Sequence, residues 1–352
     1  MTIHEILQKA IEMDAADVFL VAGIPVTFKC GGKQERMPEG FLRPDDIAVL
    51  VDEIYTLSHR SRANVDAGID DDFSFSISQL GRFRVNVFRQ RGSLAAVIRV
   101  IRFGLPNPSK LGIPESVLSL AENKKGLVLI TGAAGTGKST TLACMVDRIN
   151  HTRDCHIITM EDPIEYIHRH EKAIVTQREI SIDTPGYLES LRSALRESPD
   201  VILLGEMRDY DTISAAITAA ETGVLMLSTL HTSSAANTIS RILDVFPANQ
   251  QKQVKIQLAQ ILKGIVCQQL VPSTDGGQLP VFEIMKTTVA IQNMIREDKL
   301  HQLESAMQAG AADGMCTMDA SLLKLYREGR ITKDTALVFS ANYEIMAKRL
   351  GM

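Results

Sequence analysis

The run Gly132-Ala133-Ala134-Gly135-Thr136-Gly137-Lys138-Ser139 limits what this chain can fold into more than any other stretch. It satisfies G-x-x-x-x-G-K-[S/T], the pattern of a phosphate-binding loop. An apolar run from Gly126 to Thr131 leads in as a buried strand, and Ser139 to Asp147 leads out with helical spacing. Glycines let the backbone curl so that successive N–H groups point at one place, where the positive end of the following helix also lies. Lys138 is expected to reach the β- and γ-phosphates of a nucleotide and the Ser139 hydroxyl to ligate Mg²⁺. With Thr140 at the helix start, residues 132–140 form the expected cradle of a nucleoside triphosphate.

At 352 residues the chain suits about two domains. Two textures meet near Gly104 to Lys110, a proline-bearing stretch suited to a linker. The expected division is a domain over 1–103, a linker over 104–112 and a second domain over 113–352. In the first, Ile3, Ile6, Leu7, Ala10 and Ile11 mark an amphipathic helix. Period-two alternation follows in Asp17 to Val21, Asp72 to Ile77, Arg82 to Phe88 and Ala95 to Ile101. Such alternation predicts half-buried antiparallel strands, hence a small α+β unit. In the second, the strands are continuous apolar runs, Leu127–Thr131, His156–Met160, Val201–Gly205 and Val224–Leu230, separated by helices. Strands buried on both faces predict a largely parallel α/β sheet, whose ligands bind at the carboxyl ends of the strands.

Composition narrows the class. A net charge of -4 and the absence of Trp give no basic, aromatic surface for nucleic acid. Charged residues in the first ten positions leave no apolar core for a signal peptide, and no apolar stretch approaches the roughly 20 residues of a bilayer span. The five scattered cysteines predict reduced, mostly buried thiols of a cytoplasmic protein. His168 and His170, two apart, do not share a helix face and make a poor metal pair.

Phosphoryl transfer to water needs the phosphate held, Mg²⁺ placed, the water oriented and the developing charge neutralised. Acids following strands of the core can supply the middle two. Glu206, closing Val201–Gly205, is the expected Walker-B acid, holding Mg²⁺ through water or polarising the attacking water. In the cluster Glu161-Asp162-Pro163-Ile164-Glu165, Glu165 is the first choice of general base and Glu161 the second. The bland reading of each is a helix-start acid or a solvated loop charge. His231, ending Val224–Leu230, is either a γ-phosphate sensor or a structural histidine. Neutralising charge often comes from an arginine on another domain or subunit. Arg82 and Arg84 on one strand face, with Arg89, Arg91 and Arg99, are the candidates, Arg84 and Arg99 foremost; a wet strand face is the alternative.

With these elements in order, the chain resembles the type IV pilus retraction ATPases (PilT-type) of the secretion ATPase superfamily, over nearly all its length. Thr159 to Glu165 looks like that family's Asp box, Asp200 to Asp209 like its Walker B, and Thr229 to Ala236 like its His box. Gly81-Arg-Phe-Arg-Val-Asn86 resembles the arginine-bearing strand of its PAS-like N-terminal domain, and Ala290 to Glu297 its C-terminal signature. Gln292 stands where that signature normally has arginine, and Phe19 where a histidine is usual. Assembly and secretion ATPases carry a tetracysteine zinc insertion after a segment like Cys267-Gln-Gln-Leu-Val271; here Pro272 to Gly277 passes directly into Leu279–Met285. The resemblance implies a PAS-like domain before a RecA-like P-loop core, with ATP and Mg²⁺ as cofactors. It further implies a homohexamer at the cytoplasmic face of the inner membrane, acting on a PilC-like platform protein, with room for a second retraction ATPase as partner.

Three rivals stand beside this reading. A DNA-translocating ATPase shares such a sheet but wants basic, aromatic surface. A nucleotide-binding regulator without turnover would lack the acids that Glu165 and Glu206 supply. An assembly ATPase without its zinc module, or an accessory retraction motor, is the stronger competitor.

Overall fold

Alternating and continuous apolar strands build two different sheets, each with its own core. The computed structural model describes residues 1–38, 40–101, 104–105 and 107–351. Pro106 of the expected linker, and Arg102 and Phe103 beside the expected domain boundary, lie outside the described residues. Two compact units result: Met1–Gly104 with Glu165–Ile167, and Leu105–Ile164 with His168–Met352.

The first unit opens with α1 (Ile3–Glu12), started by a capping box in which Thr2 and Glu5 satisfy each other's backbone amides. Strands β1 (Asp17–Leu20), β2 (Thr27–Cys30) and β3 (Lys33–Arg36) precede α2 (Pro44–Leu57) and the single turn α3 (Ala63–Asp66). Then come β4 (Asp71–Ile77), β5 (Gly81–Gln90) and β6 (Ser93–Ile101). The sheet order is β3-β2-β1-β6-β5-β4, antiparallel throughout. Its β5–β6 hairpin turns on Arg91 (φ 49°) and Gly92 (φ 80°), two left-handed residues that match the strand twist. Along β5, Phe83, Val85 and Val87 are buried while Arg82, Arg84 and Asn86 are half-exposed. β2, β3 and α2 go beyond the sequence reading. For α2 the signal was present: Pro44 at the first turn, Asp45 and Asp46 after it, then Ile47, Leu50, Val51 and Ile54 on one buried face.

The second unit starts with an ordered turn in which Ile113 N–H donates to Pro108 C=O at 2.9 Å, followed by the short helix α4 (Glu115–Leu118). Its core alternates strand and helix: β7 (Gly126–Thr131), α5 (Lys138–Thr152), β8 (His156–Glu161), β9 (Ile174–Glu179), α6 (Tyr187–Ala194), β10 (Val201–Leu204), α7 (Tyr210–Glu221), β11 (Leu225–Leu230), α8 (Ala235–Asp244) and α9 (Ala248–Ile261). A hairpin of β12 (Leu262–Pro272) and β13 (Gln278–Lys286) follows. Five helices end the chain: α10 (Val289–Arg296), α11 (Leu303–Ala309), α12 (Met318–Arg327), α13 (Lys333–Val338) and α14 (Tyr343–Arg349).

The sheet order is β13-β12-β7-β11-β10-β8-β9, parallel except for β13. This is a RecA-like P-loop core. Successive side chains of β7 feed opposite cores: Leu127 and Leu129 pack on one face with Ile158, Ile202 and Met226, while Val128 and Ile130 pack on the other with Met145, Val146 and Ile149. Each such side chain is worth about 1.5–3 kcal/mol of burial, so a strand without a wet face anchors the sheet centre. β12 and β13 pair from Gly264↔Lys286 to Pro272↔Gln278, and the turn between them leaves no inserted module. The cysteine expectation needs correction. All five are free thiols, but only Cys144 and Cys267 are fully buried; Cys30, Cys155 and Cys316 sit at element edges where packing is incomplete.

Candidate active site

Parallel strands bring their carboxyl ends to one edge, and the neighbours β7, β11, β10 and β8 deliver the expected groups there. The loop after β7 holds three left-handed glycines, Gly132 (φ 144°), Gly135 (φ 77°) and Gly137 (φ 85°), the last serving as N-cap of α5. Ala133, Ala134 and Gly135 are exposed, whereas Lys138 is buried. The Lys138 ammonium donates to the carbonyls of Gly132 (3.0 Å) and Ala133 (2.8 Å), and the Thr136 hydroxyl donates to Ala133 C=O (2.9 Å). Ser139 and Thr140 open α5, half-buried beside the loop.

Glu206 follows β10 and is only 15% exposed. Its Oε2 accepts from Arg208 Nε at 2.7 Å and lies 3.5 Å from Nε2 of His231, which follows β11. Arg208 and His231 therefore face the same carboxylate oxygen. That contact holds the Arg208 guanidinium more firmly protonated than usual. Backbone bonds lock the strand ends: Thr229 Oγ1 donates to Gly205 C=O (2.6 Å), and Met207 N–H donates to Thr229 C=O (3.2 Å). A Cβ on Gly205 would lie 2.8 Å from the Tyr187 hydroxyl and 3.1 Å from Met160 C=O, so a larger residue there would displace the tyrosine. Burial, reinforced by Glu206, Asp162 and Glu161, raises that phenol's pKa and keeps it a neutral donor.

After β8, Glu161 accepts from Thr159 Oγ1 at 2.7 Å and from Gln177 Nε2 at 3.4 Å. A cis Asp162–Pro163 bond follows, then Ile164, whose N–H donates to the buried Glu179 carboxylate at 3.1 Å. Glu165, next in the chain, is exposed. Of the two base candidates, Glu161 is tied into its own sheet and Glu165 presents its carboxylate to solvent.

In the first unit Arg84 and Arg99 are cross-strand partners on β5 and β6. Arg84 makes a two-point pair with Asp72 (3.0 and 2.6 Å), and Arg99 Nε meets the buried Asp17 at 3.0 Å. Arg84 is half-exposed and Arg99 exposed on a wet strand face, each matched to an acid of the same sheet.

The donor set suits Mg²⁺. Among the described residues no cluster of three His, Cys, Asp or Glu exists that could cage a metal. One hydroxyl, Ser139, and one acid, Glu206, beside a phosphate loop suit an ion that keeps its waters and takes phosphate oxygens.

The sequence reading missed several members of this site. Gln268 on β12, noted only as the place where a zinc module is absent, touches the phosphate loop directly. Glu179 and Tyr187 support the acidic loops from within. Their signal, a polar residue in an apolar segment, was visible, but not what it would meet.

Comparison with known proteins places these features in a family. The model of the type II/IV secretion system protein family matches residues 1–277. The chain is 43% identical over 336 residues to the type IV pilus retraction ATPase PilT of Pseudomonas aeruginosa, covering 96% of this chain and 97% of that protein. It is 38% identical over 354 residues to the type IV pilus ATPase PilU of the same organism, covering 100% of this chain and 92% of that one. A crystal structure of the pilus retraction motor PilT with bound ADP matches with a TM-score of 0.90 at 44% identity, covering 99% of each chain.

Proposed function

We proceed from this chain's membership of the type II/IV secretion system protein family and propose that it is an ATPase motor driving type IV pilus retraction. The observation that carries the reading is the strand, glycine loop and helix of 126–152 set among parallel strands that end in Glu206 and His231. Family likeness over nearly the whole chain supplies the direction of work.

The geometry supports the following roles. The loop amides and Lys138 hold the β- and γ-phosphates of ATP. The Ser139 hydroxyl, and Glu206 through water, would hold Mg²⁺, which neutralises phosphate charge when bound. Glu165, exposed and not tied into the sheet as Glu161 is, orients and deprotonates the attacking water. His231, sharing a carboxylate oxygen with Arg208, reports the state of Glu206 and of the γ-phosphate. Arg84 and Arg99 neutralise transition-state charge from a neighbouring subunit of a homohexamer. The domains are 1–103 and 113–352, joined by 104–112. The motor works at the cytoplasmic face of the inner membrane on a PilC-like platform protein; among the described residues no helix is long and apolar enough to cross a membrane.

A second reading is an accessory retraction motor, since the chain is also similar over its full length to a second type IV pilus ATPase, PilU. Purified protein should release phosphate from Mg·ATP and form rings by light scattering. A deletion strain should be hyperpiliated and non-motile. Bald cells would reassign the protein to pilus assembly, and normal retraction while a second motor remains would favour the accessory role.

A further inference from the structure

β12 lies beside β7 in parallel, with Cys267 level with Thr131. The next residue, Gln268, therefore stands level with Gly132, the first residue of the phosphate loop. Alternation along β12 decides its face: Cys267 joins the core on one side, Val266 the core on the side of α5. Gln268 shares the side of Val266 and is 3% exposed.

There the two ends of one side-chain amide link the loop to the helix that follows it. Its Nε2 donates to Thr136 C=O at 2.7 Å, and its Oε1 accepts from Thr141 Oγ1, in the first turn of α5, at 2.7 Å. The amide orientation is forced, because a carbonyl only accepts and must face the NH₂ end. Two of the loop glycines also abut this residue. A Cβ on Gly132 would overlap the Gln268 main-chain carbonyl, and one on Gly137 would lie 3.0 Å from Gln268 Nε2.

A phosphate loop works only if its N–H groups converge on the anion and its C=O groups point elsewhere, since a carbonyl dipole aimed at phosphate repels it. Thr136 C=O is the carbonyl between two glycines, the least constrained link of the loop. We propose that Gln268 is a positioning residue for the phosphate loop, holding the Thr136 carbonyl outward and pinning the loop to the start of α5 in its nucleotide-binding shape. The proposal rests on residues 132–139 being the nucleotide site. No other common side chain does the same work. Glu would set an oxygen against the carbonyl, Asn is one methylene short of both partners, and Leu or Met leaves the buried Thr141 hydroxyl and the part-buried Thr136 carbonyl without this partner.

The test uses full-length protein carrying Gln268→Met, Gln268→Glu or Thr141→Val, with Lys138→Ala alongside. Affinity for a fluorescent ADP analogue, KM and kcat for ATP, and melting with and without ADP are measured. Gln268→Met should weaken nucleotide affinity about tenfold, as expected for the loss of the part-buried bond to the Thr136 carbonyl. KM should rise in step while kcat changes far less, because the loop shape serves bound substrate and transition state alike. The gain in melting temperature on adding ADP should shrink accordingly. Gln268→Glu should lose at least as much, and Thr141→Val less, in the same direction. A lower melting temperature with unchanged affinity, KM and ADP-induced gain would make Gln268 a packing residue and overturn the proposal. Should Gln268→Met not fold, unchanged affinity in Thr141→Val overturns it equally. Lys138→Ala separates the two levels: lost binding there with normal binding in the Gln268 variants sinks this proposal alone. Normal binding in Lys138→Ala sinks the loop assignment beneath it.

Discussion

The two sheets of this molecule handle charge in opposite ways. In the antiparallel sheet of the first unit, charged residues stand on a face. Arg84 on β5 answers Asp72 and Arg99 on β6 answers Asp17, and the residues of β5 from Arg82 to Phe88 alternate between buried and half-exposed. In the parallel sheet of the second unit, β7, β10 and β11 are buried on both faces and carry no charge along their length. Beyond the carboxyl ends of these strands stand Lys138, Glu206 and His231. A parallel sheet thus gathers chemistry at one edge because all its strands end on the same side, whereas an antiparallel sheet disperses it. The lesson is that charged residues stand in different settings in the two sheets: an arginine on β5 lies on a solvated face, and the acid after β10 lies where the parallel strands end together.

The sharpest way to break this contrast is Lys138→Ala. Removing the ammonium from the loop should abolish productive ATP binding and turnover while the far-ultraviolet spectrum stays that of folded protein. Near-normal hydrolysis would show that the strand-end edge is not the site. Next in size are Arg84→Ala and Arg99→Ala. If the antiparallel face contributes a finger, at least one should lower kcat by about 10³-fold and be rescued in rings mixed with Lys138→Ala subunits. Neither slowing nor rescue would leave the first unit's arginines as a wet face and make the contrast absolute. Glu206→Gln should keep nucleotide affinity but slow turnover on the order of 10²-fold, since the lost charge acts on Mg²⁺ and water rather than on the phosphate cradle. Equal losses in binding and rate would move Glu206 into the cradle itself.

The smallest effect concerns stability, at a polar group buried inside the second unit. His168 is buried, its Nδ1 has no hydrogen-bond partner, and burial pushes its pKa down from 6.5 to about 4. The unfolded chain therefore binds a proton that the folded one refuses between these values. Stability is fully present above 6.5 and falls as pH drops toward 4, by up to about 3 kcal/mol. Denaturant titrations at several pH values should show this slope, and His168→Phe should flatten it. An unaltered slope in the variant would trace the acid sensitivity to other groups.

Much of the second unit was legible from local pattern. Strand, glycine loop and helix are contiguous, and continuous apolar runs have one cause, burial on two faces. In the first unit β5 and β6 were equally plain, but β2 and β3 were not. Each has four residues, and β3, Lys33 to Arg36, is exposed along its whole length, so no alternation marks it. β9 was missed for a related reason: as the sheet's edge strand it leaves Ile174 exposed and carries Gln177 and Arg178 half-buried, diluting its apolar pattern.

By itself the sequence determined that a triphosphate loop sits between a buried strand and a helix, within a mostly parallel sheet whose strands end in acids and a histidine. These are contacts within a few residues, governed by backbone geometry and periodicity. Only tertiary structure decided which ends meet: that Glu206 shares its oxygen with Arg208 and His231, and that Gln268 grips Thr136 and Thr141 from more than a hundred residues away. Strand order sets those pairings, and it is chosen by the packing of whole faces rather than by any single stretch of chain.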